Sequence, residues 1–302
     1  MTNGRIVMIA SLLGAARAMA QAAPSTDVYL VRITRSRTDS GGIAMAKPVN
    51  ITRRQGYNNQ PAFTPDGRAV FYTSTREDGQ ADIYRYEIAS QKTSRVTSTP
   101  ESEYSATFIP GAKRFSVVRV ERDSTQRLWS FAMNGSDPRL VLRTIKPVGY
   151  HAWLDATHVA LFVLGRPATL QVATLGTEHV DTVARDVGRS LSAAAPGRVS
   201  FVTRAADSAF TINVARLDPA TKRVSVSGGM AVLPAAAEYV VWMSPDEAIT
   251  ASGSKVYALR RGPVDSHWAE IADLAADGLS HISRLAISAD GRWLALVADD
   301  HR

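Results

Sequence analysis

The residues with reactive side chains are sparse, and their spacing excludes most covalent chemistry. No Gly-x-Ser-x-Gly elbow occurs, so the strained turn that exposes a hydrolase serine has no candidate. Ser252-Gly253-Ser254-Lys255 matches Ser-x-x-Lys in letters, but it falls between two β-like runs and lacks companion motifs, which predicts a hairpin turn. The six histidines, His151, His158, His179, His267, His281 and His301, are never at i, i+4 spacing, and no HExxH or calcium-loop pattern appears. With no cysteine, there is no thiol nucleophile, thiolate-bound zinc, iron–sulfur cluster or disulfide framework. No metal site and no cofactor is expected from these residues. A site would have to be assembled from side chains far apart in sequence, so the elements that position them come next.

Internal self-similarity supplies those elements. An apolar residue, a Pro/Asp/Gly turn and a second apolar run recur along the 302 residues. The unit is clearest from Pro61 (PAFTPDGRAVFYTS, then ADIYRYEI and SRVT) and from Ser105 (SATFIPGAKRFSVVRV, then RLWSFAM). Later copies begin near Gly149, Ser192, Tyr239 and Ser283. Aligned on the apolar position before the turn, they give Phe63, Phe108, Trp153, Ala193, Trp242 and Ile287, at spacings of 45, 45, 40, 49 and 45. A period of roughly 40–45 residues suits a four-stranded propeller blade. Asp66-Gly67 and Asp290-Gly291 supply tight hairpin turns, so a structural role is expected for both aspartates. Phe108, Trp153 and Trp242 are expected to fill wedges between blades.

The sixth copy stops after two strands, whereas Asp27–Ile33 and Val49–Thr52 resemble third and fourth strands without a first half. Joining them predicts an all-β, six-bladed β-propeller whose last blade is closed by N- and C-terminal strands, over residues 24–302. Closure removes the exposed edges of an open sheet.

Ahead of it, Arg5, the apolar run Ile6–Ala16 and Ala18-Met19-Ala20 form the three parts of a secretory signal, with cleavage before Gln21. Residues 1–20 are therefore read as a signal peptide or, if retained, an N-terminal anchor. Ile6 to Ala20 would span about 22 Å as a helix, short against a hydrocarbon core of about 30 Å. The expected location is periplasmic or secreted. Membrane contact would be only peripheral or through the retained segment.

The motif PAFTPDGRAVFYTSTREDGQADIYRYEI followed by RVT resembles the repeat of the TolB-type β-propeller family. The resemblance is strong in the first repeat and weak in the third and fourth, where Leu154-Asp155-Ala156-Thr157 and Ala195-Pro196-Gly197-Arg198 replace the turn. It extends to the propeller alone, without the further N-terminal α/β domain of TolB. It implies protein partners, since that family binds peptides and proteins on the disc face.

In a propeller, the segment entering each innermost strand converges on the central channel. Here that segment holds Asn58, Asn59 and Gln60; Glu103 and Tyr104; Tyr150 and His151; Arg189; Glu238 and Tyr239; and His281. Asn58, Glu103, Tyr150, His151, Arg189, Glu238 and His281 are thus candidate ligand-binding residues at one channel mouth. The alternative is a set of solvated loop residues. Glu103 and Glu238, three blades apart, would face each other across the channel.

The net charge of +7 is dispersed as single residues and pairs such as Arg53-Arg54 and Lys222-Arg223. No basic run tracks a phosphate backbone, so nucleic acid is not an expected partner. The resulting reading is a non-enzymatic exported scaffold, an accessory or stabilising subunit of an envelope protein or membrane complex. The alternative is a propeller enzyme, a hydrolase, lyase or lactonase acting at the channel mouth.

Overall fold

A computed structural model describes residues 25–35, 42–76, 78–177, 179–204, 209–261 and 266–300; the expected signal segment lies outside these residues. Six antiparallel sheets follow one another around a ring. The first five blades each take four consecutive strands, and their innermost strands are Asn58–Phe63, Ser102–Phe108, Val148–Trp153, Val187–Ala195 and Val240–Ser244. Leu285–Ile287 is the innermost strand of the sixth blade and touches the innermost strands of both the fifth and the first. The ring is therefore closed.

The sixth blade is built from both ends of the chain. Trp293–Asp299 pairs with Leu285–Ile287 on one side and with Thr26–Arg35 on the other, in register from Thr26 opposite Asp299 to Arg32 opposite Trp293. Ile43–Met45 and Val49–Asn50 lie along the outer edge of Thr26–Arg35. The strand assignment agrees with the closure expected from the half-repeats.

The apolar core is distributed as six wedges, each between two adjacent blades. The aligned residues enter them: Phe108 packs with Phe71 and Phe115 between blades one and two, Trp153 lies between two and three, and Trp242 between four and five. Each tryptophan also needs a partner for its buried N–H. Trp153 Nε1 donates to Ser116 Oγ at 2.9 Å and Trp242 Nε1 to Ser200 Oγ at 2.7 Å, both serines lying on the second strand of the preceding blade. The repeat thus stitches blades together with the same polar contact twice.

The Asp-Gly turns behave as expected. Thr64 Oγ1 and the Arg68 N–H donate to Asp66 Oδ1, and Ser288 Oγ and the Arg292 N–H donate to Asp290 Oδ1. These bonds, the serine hydroxyl first, hold the Asp290 carboxyl down at about 2. Gly67 and Gly291 both sit at φ 66°, and Gly197 in the weakly matching fourth repeat reaches φ 70°. Ser252-Gly253-Ser254-Lys255 is a two-residue hairpin turn, with Ser252 opposite Lys255 and Gly253 at φ 61°. Lys255 Nζ is paired with Glu270 Oε2 at 2.8 Å.

Candidate functional site

The innermost strands define a central channel, and counting back from the aligned apolar residues shows which side chains line it. The residue three positions before each aligned residue is Gln60, Ser105, Tyr150, Ser190, Tyr239 or Arg284. All six line one cavity of about 120 Å³ at the channel mouth. One position deeper come Pro61, Ala106, His151, Leu191, Val240 and Leu285, which line the same cavity. Beyond them a second chamber of about 310 Å³ is mainly apolar, walled by residues that include Phe63, Phe108, Trp153, Val241, Trp242 and Ile287. The channel therefore has a polar mouth and an apolar interior.

Backbone irregularity aims the mouth residues. The register of the innermost strand shifts between Asn59 and Ala62, Tyr104 and Thr107, Val148 and Tyr150, and Val187 and Leu191. Such bulges re-aim side chains. Gln60 and Ser105 occupy the left-handed region at φ 57° each, which is unusual for residues other than glycine. They brace each other: the Ser105 N–H donates to Gln60 Oε1 at 2.9 Å, and Thr73 Oγ1 donates to the same oxygen at 2.9 Å.

The mouth is an aromatic and cationic ring. Arg284 lies over the Tyr150 and Tyr239 rings, its Cζ 4.3 Å from each centroid. Tyr57 meets Tyr104 edge-on at 6.4 Å, close enough to Arg284 to feel its charge. Burial pushes the Tyr239 hydroxyl up to about 12 and raises that of Tyr57 further, so both stay protonated donors at neutral pH. Arg189 forms a two-pronged pair with Glu238, through Nη2 to Oε2 at 2.8 Å and Nε to Oε1 at 3.3 Å. Its backbone N–H also donates to Glu238 Oε1 at 2.8 Å. The Glu238 hydrogen bond raises the Arg189 guanidinium pKa above its usual value.

The candidate residues fall into three groups. Tyr150, His151 and Arg189 line the mouth cavity, and Glu238 sits beside it on Arg189. Asn58 and Glu103 do not line the cavity. Asn58 is fully buried where the closing strand meets blade one, donating to Thr26 O at 2.9 Å and accepting from Ser74 Oγ at 2.8 Å. Glu103 is fully buried between blades one and two, held by Arg119 Nε at 3.1 Å and by the Thr99 hydroxyl. It does not face Glu238 across the channel, because its side chain is spent inside the wall. His281 is exposed, paired through Nδ1 with Asp299 at 2.7 Å, and outside the cavity lining. Arg284 was missed by the sequence reading. It lies three positions before Ile287, as Tyr150 lies before Trp153 and Tyr239 before Trp242, so the repeat offset alone would have found it.

His151 is the only imidazole lining the channel among the described residues. Its Nε2 is 2.6 Å from Ser116 Oγ, a serine–histidine contact. Ser116 is fully buried, also accepts from the Trp153 indole and reaches Thr107 O at 3.1 Å, so its hydroxyl serves the blade interface. No carboxylate orients the ring, and His151 Nδ1 has no partner. Burial holds the imidazole down at about 3, so it stays neutral. No group of three or more metal-ligating side chains exists among the described residues.

Fold and channel together define a six-bladed β-propeller with a tyrosine- and arginine-lined mouth. Its structural neighbours include TolB-type propellers. A protein assigned as TolB from Agrobacterium tumefaciens is similar with a TM-score of 0.63 and 14% identity, over 92% of this chain and 100% of that one. TolB from Acinetobacter baumannii gives a TM-score of 0.54 and 13% identity, over 91% of this chain and 64% of that one. An oligogalacturonate lyase from Vibrio parahaemolyticus gives 0.55 and 9%, over 90% and 91%. At these identities the likeness establishes the fold. No family model matches the chain.

Proposed function

We propose that this protein is a non-catalytic recognition propeller of the periplasm or cell exterior, which docks an envelope protein or membrane complex on its channel mouth. One observation carries the reading: the mouth ring consists of tyrosine, serine, amide and arginine side chains, with no carboxylate lining it among the described residues. The Glu238 carboxylate beside the mouth is taken by Arg189, and the His151 imidazole is held neutral. The set suits contact and lacks the poised acid and base that sugar cleavage uses. Tyrosine and arginine are also the side chains that dominate binding energy at protein interfaces. The TolB-type neighbours are consistent with this role. The propeller acts as a peripheral subunit, and no helix among the described residues is long and apolar enough to cross a membrane.

Affinity isolation from a detergent-solubilised envelope fraction tests the reading. The wild-type chain is expected to retain a defined partner, and Tyr150→Ala/Tyr239→Ala to retain at least ten times less. Equal retention by the two, or turnover of oligogalacturonate by the wild type alone, would show that the mouth does something else.

A further inference from the structure

Interactions within the chain leave one cation at the mouth unused. Arg189 is neutralised by Glu238, and the arginines of blade two, Arg114, Arg119 and Arg127, each reach a carboxylate. Arg284 reaches none among the described residues and contacts two neutral tyrosine rings instead. Those contacts leave its charge and its N–H donors available. Two further polar atoms are unused: Ser105 Oγ and His151 Nδ1 are both buried without a hydrogen-bond partner, and both residues line the cavity that Arg284 lines. Native proteins rarely leave such atoms unpaired; both are shielded from solvent, so the donor group that the cavity presents is Arg284.

We propose that the channel mouth is a carboxylate-binding site, in which Arg284 receives the carboxylate between Tyr150 and Tyr239. The proposal rests on the reading of the mouth as a docking face. With Cζ 4.3 Å from both ring centroids, the guanidinium keeps N–H donors that no carboxylate of the described residues takes, beside two aromatic walls. A flat carboxylate lies in the guanidinium plane and accepts two parallel hydrogen bonds. A tetrahedral phosphate carries oxygens out of that plane and is the bulkier fit in a cavity of about 120 Å³ beside two rings. The carboxylate belongs either to a small organic acid or to the C-terminus of a peptide chain entering the channel.

Calorimetric titration of the folded chain separates these sources, with tri-alanine, tri-alanine amide, succinate and inorganic phosphate as probes. A carboxylate probe is expected to bind at least tenfold tighter than the amide and phosphate. Arg284→Met should weaken it at least tenfold, Arg284→Lys less, and Arg216→Met, on the outer part of blade four, not at all. Tighter binding of tri-alanine than of succinate identifies a peptide C-terminus, and the reverse order identifies a free organic acid. Near-ultraviolet circular dichroism confirms that each variant is folded. Failure of both succinate and tri-alanine to bind more tightly than tri-alanine amide and phosphate, or wild-type affinity in Arg284→Met, would overturn the carboxylate site. If a partner is still retained by the mouth in that case, the docking reading survives. Carboxylate binding without any retained partner would sink the docking reading and leave the site standing.

Discussion

A chain lacking the strand Thr26–Arg35 will fail to fold, whereas a circular permutant of residues 25–300 that keeps the strand will fold normally. Thr26–Arg35 is the third strand of the sixth blade and buries Val28, Leu30, Val31 and Ile33 almost completely. Full burial of such side chains contributes roughly 1.5–3 kcal/mol each. Four of them match the total stability of about 5–15 kcal/mol that a typical protein has. Their loss would also expose the edge of Trp293–Asp299 across seven paired residues, which invites aggregation. The permutant isolates ring closure from chain order. Asp300 already lies beside Ser25, its N–H donating to Ser25 O at 3.1 Å, so a short linker there makes an ordinary hairpin. New ends can be placed in the exposed turn between Ser90 and Gln91. Size-exclusion chromatography and circular dichroism should show a folded permutant and an aggregated truncation. A folded, monomeric truncation would mean that the end strand does not close the ring.

Arg119→Met will cost about 3–5 kcal/mol at pH 8 and much less at pH 5, because it leaves Glu103 buried without its cation. Arg119 is itself buried, lies over Trp129 at 4.2 Å and donates through Nε to Glu103 at 3.1 Å. Burial is the main cause that pushes the Glu103 carboxyl from 4.5 up to about 7, against the lowering effects of Thr99 and Arg119. Between those values the folded chain binds a proton that the unfolded chain releases. The contribution of Glu103 therefore falls as pH rises through this window and is fully unfavourable above about 7. Removing Arg119 deepens the penalty on the charged form only, so acid rescues the variant. Methionine keeps much of the aliphatic packing on the aromatic rings. Urea denaturation at both pH values measures the difference. Adding Glu103→Gln to Arg119→Met should recover most of the loss at pH 8. An equal loss at pH 5 and pH 8 would assign the effect to packing rather than charge.

The repeat and its closure were legible in the sequence because the turn chemistry is local. Asp66-Gly67 and Asp290-Gly291 make the same hydrogen bonds at opposite ends of the chain, and any alignment on the residue before the turn finds the innermost strands. The site was less legible because channel exposure depends on the offset within each strand. Asn58 and Glu103 both lie five positions before their aligned residues, and both are buried in the walls beside the inner strands. Tyr150, Tyr239 and Arg284 lie three before theirs and line the channel. A simple two-residue alternation would put both offsets on one face. The bulges at Asn59/Ala62 and Tyr104/Thr107 break that alternation, and no residue pattern marks a bulge in advance. The Glu103–Arg119 pair was invisible for a related reason, since the two are opposite only once the strands are paired.

Recognition on the channel mouth, the proposed function, has a direct spatial test. Hydrogen–deuterium exchange of the chain, alone and with any protein isolated on it from the envelope fraction, measures this most directly. The account predicts slowed exchange at residues 57–60, 104–107, 149–151, 189–191, 238–240 and 283–285, one segment from each blade around the mouth. Slowed exchange confined to outer strands such as Lys92–Arg95 or Val224–Val232, with the mouth segments unchanged, would contradict it.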